Sequence, residues 1–325
     1  MTLIAAPLPV APHQARLRTI RLIVGYAAVL ATVPYLTLKA IWLAGGTLGL
    51  TDLDFANDTS VYVLNGVTVG LDLVAIGIAL AFTYDWGQRI PAWLVLVPTW
   101  VGTGLLTPMV LGLPVLGIDL LSDTAGRMDF LEPWVRPLVY TGFATQGAAL
   151  LTAFVLYARV RWPEVFTTRL ADLPRGATHP VQVVLANGAA LVAAGVAVLN
   201  LANAFGADLG YPADLVAQRT LSSYFVEGIH GVLAALAAIG VLWAVHRRRP
   251  GTPTWLPVTL AWLGAGAMFS WGLWVAVNQL GATAIARDAD PMPLLHLHGL
   301  AKLLAGLVIG LTGLLLLTER RATRD

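Results

Sequence analysis

Apolar residues run through this chain in long blocks, and short polar segments interrupt them at nearly regular intervals. A helix needs about 20 apolar residues to cross a hydrocarbon layer of about 30 Å. Eight blocks meet that requirement, and they predict helices over 20–44, 60–84, 91–113, 135–158, 180–205, 220–245, 254–279 and 294–318. The expected fold class is therefore an all-α polytopic membrane protein with eight transmembrane helices.

The segments between blocks alternate in charge. Arg16, Arg18 and Arg21 precede the first block. Arg89 follows the second, Arg159, Arg161, Arg169 and Arg175 follow the fourth, and Arg247, Arg248 and Arg249 follow the sixth. Arg320, Arg321 and Arg324 close the chain. The intervening segments carry acids: Asp52, Asp54 and Asp58; Asp119, Asp123, Asp129 and Glu132; Asp208 and Asp214; Asp288 and Asp290. Arg127, Arg136, Arg219 and Arg287 are the exceptions on the acidic side. Basic loops stay in the cytoplasm, so both termini are expected there, in a plasma (inner) membrane.

The blocks also resemble one another. "PAWLVLVPTWVGTGLL" (91–106) aligns with "PTWLPVTLAWLGAGAM" (253–268), "LKAIWLAGGTLGL" (38–50) with "LNLANAFGADLGY" (199–211), and "VYVLNG" (61–66) with "SYFVEG" (223–228). The offset is nearly constant, and matched Trp, Pro and Gly argue for a duplication. Four blocks per copy give both copies one orientation, a parallel repeat. The expected division is a cytoplasmic tail (1–17), repeat 1 (18–158), a cytoplasmic linker (159–179), repeat 2 (180–318) and a C-terminal tail (319–325). Small residues in "GAGAMFSWG" (264–272) and "GLVIGLTG" (306–313) predict close helix packing. Residues 114–134 are expected to form a partly ordered cap on the outer face.

Composition agrees with this picture. The 325 residues are 57% hydrophobic and 12% charged, against about a quarter charged in ordinary soluble domains. The net charge of +2 is distributed as the loop rule requires, so nucleic acid is not an expected partner. The lipid bilayer is the first expected partner, and a homo-oligomer or a larger membrane complex is compatible with the chain. Cysteine is absent, which excludes disulfides, thiolate metal sites and cysteine nucleophiles.

Candidate chemistry lies in the polar residues inside the blocks, where charge is costly and generally faces a cavity or a partner. The candidates are Lys39, Asn65, Asp72, Tyr140, Asn200, Asn203, Glu227, His230, His298 and Lys302, and Gln146 and His296 are further polar residues of the same blocks. At about 1.5 Å of rise per residue they fall in the outer half or near the midplane, with Lys302 roughly 12 Å deep. The inner halves are nearly all apolar. This predicts one outward-facing polar pocket shared by the second, sixth and eighth helices. Within it, Glu227 and His230, three residues apart, would form an acid–base pair. His298 and Lys302, four apart, would share one helix face, and Asp72 and Lys302 are candidates for a buried ion pair. His296 points away from His298, so the H-x-H is not a chelate.

Four functions fit. A transporter or permease of a small molecule, proton-coupled through these titratable groups, is the leading one. A membrane enzyme acting on a lipid or isoprenoid-like substrate would use Glu227 and His230 as catalytic acid and base and Lys302 as an electrostatic stabiliser. A haem or metal protein would use His230 and His298 as ligands, and an accessory subunit would need none of them. No cofactor or resident metal is named by the sequence.

Overall fold

The computed structural model describes residues 12–52, 58–121, 130–280 and 293–322. Its long elements are α1 (Pro12–Leu43), α2 (Thr59–Thr83), α3 (Ala92–Leu121), α4 (Val135–Arg161), α5 (His179–Ala204), α6 (Leu221–His246), α7 (Trp255–Leu280) and α8 (Pro293–Ala322). All eight are long and apolar enough to cross a membrane, so the chain is a multi-pass helical membrane protein by length and composition. The first helix starts at Pro12, inside the segment expected to be a loose tail. Helix α3 continues through Pro98, Pro108 and Pro114 into the segment expected to be a cap. The rest of that cap, 122–129, lies outside the described residues, as do Asp54, Arg127 and Arg287.

Local chemistry sets several of these ends. Asp58 caps α2 by accepting the backbone N–H of Ser60 at 2.7 Å. Thr220 and Ser223 form a reciprocal capping box at the start of α6. Arg247 ends the same helix in the left-handed conformation, with φ at 54°.

The helices pack as two four-helix bundles. In the first, α1 lies on α2 and α4, and α3 lies on α4. In the second, α5 lies on α6 and α8, and α7 lies on α6 and α8. The bundles meet where α3 packs on α7 and α6. At that crossing a Cβ on Gly104 would lie 2.2 Å from the carbonyl oxygen of Gly266, so the two backbones touch. Trp100 donates its indole N–H to the Trp262 carbonyl at 3.1 Å, and Trp262 donates its own to the Thr103 hydroxyl at 3.1 Å.

The two cores differ. The first is built on rings, with Phe82, Tyr157 and Phe154 packed among Ala28, Val95 and Leu150. The second is built largely on alanine: Ala186, Ala190, Ala193, Ala234, Ala237 and Ala265 are buried together. Its glycines sit where helices nearly touch. Gly306 faces the backbone of Ala265 and Phe269, and Gly272 that of Gly299 and Leu303. The small-residue stripes expected from the sequence therefore face each other, α7 against α8, where packing rather than hydrophobicity holds membrane helices together.

At the arginine-rich end, side chains tie loops to helix ends. Arg21 donates twice to the Phe82 carbonyl, at 2.8 and 3.1 Å, and Arg161 bonds the carbonyls of Gly87 and Ile90. The segment between α4 and α5 is not a free linker. Leu170 and Ala171 donate backbone N–H groups to Thr252 and Pro250, and Leu170 and Leu173 are buried against Ala244 and Leu316.

Candidate functional site

The ten candidate residues divide between the two bundles, so the single pocket expected across the second, sixth and eighth helices does not form. Asp72 on α2 and Lys302 on α8 have separate neighbours and are not an ion pair. Each bundle instead holds one buried lysine and one carboxylate, buried at Asp72 and half-buried at Glu227, and neither couple makes a direct ion pair among the described residues.

In the first bundle Lys39 is 9% exposed and donates to Asn65 Oδ1 at 2.5 Å. Its ammonium also sits 4.9 Å from the Tyr35 ring centre and 4.8 Å from that of Trp42, two cation–π contacts. Thr68 bonds the Asn65 carbonyl at 3.0 Å and steadies that turn of α2. Asp72 accepts a long hydrogen bond, 3.4 Å, from Gln146 on α4, and its other carboxylate oxygen has no partner among the described residues. Gln146 was visible in the sequence as an intramembrane polar residue, but nothing there linked it to Asp72.

Tyr140 stands apart from this cluster. The Arg136 guanidinium lies 5.6 Å from its ring centre near the start of α4. That contact gives a local role to one of the arginines that break the charge alternation.

In the second bundle Lys302 is also 9% exposed, but it donates no hydrogen bond to any described residue. Glu227, His230 and His298 lie within electrostatic range of it. Asn200 donates to the Val196 carbonyl at 3.1 Å, which fixes its amide and aims Oδ1 at His298 Nε2, 3.2 Å away. That geometry makes Nε2 the protonated nitrogen of His298, so its Nδ1 carries the lone pair when the ring is neutral. His230 lies edge-on to Trp271 with ring centres 5.4 Å apart. The Trp271 indole N–H is buried without a described partner. Because Gly272 abuts Gly299 and Leu303, Trp271 lies at the level of Lys302.

Glu227 and His230 do not act on each other. Glu227 accepts from the Tyr211 hydroxyl at 2.5 Å, and His230 turns to Trp271. The acid–base pair expected from the E-x-x-H spacing is thus absent in this arrangement. Asn203 does not pair with Asn200 either. Its side chain accepts the Leu209 N–H at 2.7 Å and donates to the Leu209 carbonyl at 3.2 Å, closing the turn that follows α5.

That turn begins a cover over the second cluster. Gly206 and Gly210 have φ of 86° and 85°, a conformation that glycine adopts without strain, and they fold 205–220 back over the helix ends. Arg219 is its centre. It forms an ion pair with Asp208, donates to the Asn203 carbonyl, and lies between the rings of Tyr211 and Tyr224 at 4.7 and 4.1 Å. Burial, and after it the Glu227 hydrogen bond, raise the Tyr211 pKa well above its ordinary value, so Tyr211 stays a donor. Sequence reasoning missed Tyr211 and Trp271. Arg219 was visible as an exception to the charge alternation.

The expected outward-open pocket is therefore a covered cluster. Two crevices elsewhere are apolar and contain none of the candidates; one is lined by Leu71, Ile78, Phe82, Leu106 and Leu150, the other by Ile23, Val110, Leu113 and Ala148. No set of three His, Cys, Asp or Glu residues among the described ones is arranged to hold a metal ion. No family model, curated protein or solved structure matches this chain, so the site is read from its own chemistry.

Proposed function

We propose that the protein is a permease for a small polar solute, with its solute site among α5, α6, α7 and α8 under the 205–220 cover. The observation that carries this reading is Lys302, a buried cation with no hydrogen-bond partner among the described residues, within electrostatic range of Glu227 but not ion-paired with it. Leaving a charge unpaired in a low-dielectric interior costs several kcal/mol, roughly, unless something else solvates it. A solute that enters and leaves supplies that solvation transiently. Glu227 and the two histidines add ionisable side chains, which suits coupling to protons.

The chain is further read as one four-helix unit repeated in parallel, with both termini on the cytoplasmic side. Three things support the repeat. Three helix contacts recur in both bundles, first on second, first on fourth and third on fourth, and Trp100 contacts Trp262, its counterpart 162 residues on. Gly104 meets Gly266 at the same separation. The orientation rests on the placement of the arginines, which puts the cover on the outside.

The absence of native cysteines allows a test that needs no substrate. Asn200→Cys in full-length protein should react with a membrane-impermeant maleimide from outside in intact cells and from the cytoplasmic face in inverted vesicles. Reaction from one face alone would contradict alternating access and favour a one-sided membrane enzyme.

A further inference from the structure

The second cluster is polarised, and that polarity specifies a ligand. One side of it presents donors that lack acceptors among the described residues: the Lys302 ammonium and the Trp271 indole N–H, with the His230 ring in T-shaped contact with Trp271. The other side presents Glu227, an acceptor that Tyr211 partly satisfies and draws toward the cover. Lys302 and Glu227 carry opposite unit charges, so the site as a whole is neutral when both are ionised.

Neutrality restricts what binds. A simple anion at Lys302 would bring a second negative charge near Glu227. A simple cation at Glu227 would bring a second positive charge near Lys302. Both arrangements bury net charge, which a low-dielectric interior penalises heavily. A molecule carrying both charges adds none, and each of its ends meets the opposite charge of the site.

We infer that the covered cluster is a binding site for a zwitterion bearing a primary ammonium, with its anionic group on Lys302 and Trp271 and its ammonium on Glu227. This inference rests on the permease reading for the site's location, but it names the ligand independently of transport. The chemistry is shared by amino acids and by the ethanolamine phosphate headgroup of lipids. Tyr211 is a positioning residue in this scheme: its hydroxyl holds one carboxylate oxygen of Glu227 and leaves the other for the ammonium.

The test is thermal unfolding and titration calorimetry on full-length protein in detergent. The probes are L-alanine, glycerophosphoethanolamine, propionate and propylamine, and a parallel set of nanodiscs contains phosphatidylethanolamine or phosphatidylglycerol. At least one ammonium zwitterion should bind and raise Tm, and the two singly charged probes should not. Lys302→Met and Glu227→Gln, each checked for an unchanged helical spectrum, should each weaken that binding by about tenfold or more. Binding of alanine alone identifies a soluble solute. Binding of glycerophosphoethanolamine, with stabilisation in phosphatidylethanolamine discs, identifies a headgroup.

Propionate binding as tightly as alanine would overturn the inference, as would silence from every zwitterion. If alanine binds while Asn200→Cys reacts from one face only, the site stands and the permease reading fails. If Asn200→Cys reacts from both faces while no zwitterion binds, the reverse holds.

Discussion

The two bundles solve the same electrostatic problem in opposite ways. Each buries a lysine and sets a carboxylate on a different helix, buried at Asp72 and half-buried at Glu227. In the first the cation is well solvated, by Asn65 and two aromatic faces, and the unmet valence is one oxygen of Asp72. In the second the carboxylate has a strong donor in Tyr211, and the cation has no acceptor among the described residues. A lysine fixed by three partners is a structural element. A buried lysine with none among the described residues, beside the orphan indole N–H of Trp271, is the feature on which the proposed site rests. The cores follow the same division. Aromatic side chains pack the first bundle, whereas close alanine and glycine contacts hold the backbones of the second near one another.

The largest test of this comparison strikes the seam between the bundles. Gly104→Leu would drive a side chain into the Gly266 carbonyl, and it should prevent recovery of monodisperse protein from detergent. Gly102 lies on the same helix with nothing within 4 Å of its Cβ position, so Gly102→Leu should leave the elution profile unchanged. Equal behaviour of the two would mean that the bundles are not joined at this crossing.

The cover comes next. Arg219→Ala removes an ion pair, a carbonyl bond and two ring contacts together, and should cost about 2–4 kcal/mol. Limited proteolysis should then cut within 205–220 before any other described loop. A fragment pattern like that of wild type would show that Arg219 does not hold the cover.

A smaller effect separates holding the cover from positioning Glu227. Tyr211→Phe keeps the ring under Arg219 but loses the hydroxyl, and should cost about 1–2 kcal/mol. Because the folded pKa is raised, the folded state holds this proton more tightly than the unfolded chain does. The contribution is full below the ordinary tyrosine value of 10.0 and is lost as pH rises through the higher folded value. Unfolding midpoints of wild type and Tyr211→Phe should therefore differ by a constant amount from pH 6 to 9 and converge in stronger base. A difference that already varied between pH 6 and 9 would place the titration on another group.

Much of the fold was legible in the sequence because the bilayer imposes it. Apolar length alone located all eight helices. The partners of the polar residues were not legible. Which bundle Asp72 joins depends on the neighbours and rotation of α2, and contacts such as Gly104 on Gly266 leave no trace that one sequence can reveal. The E-x-x-H spacing misled for a related reason: it places Glu227 and His230 on adjoining turns, but Tyr211 and Trp271 draw them to different neighbours. Tyr211 itself was invisible because the search for chemistry stayed inside the apolar blocks. The four arginines that broke the charge alternation were the better signal, since two of them, Arg136 and Arg219, make specific contacts with rings.

The central claim is that Lys39 supports the structure and Lys302 waits for a ligand. Thermal unfolding of Lys39→Met and Lys302→Met, each without added ligand, tests it most directly. Lys39→Met should lower stability by about 2–3 kcal/mol, since it leaves Asn65 unpaired and strips two cation–π contacts. Lys302→Met should be neutral or stabilising, because replacing an unpartnered buried charge with an apolar chain of similar length removes a desolvation cost. A loss from Lys302→Met as large as that from Lys39→Met would make both lysines structural and contradict the account.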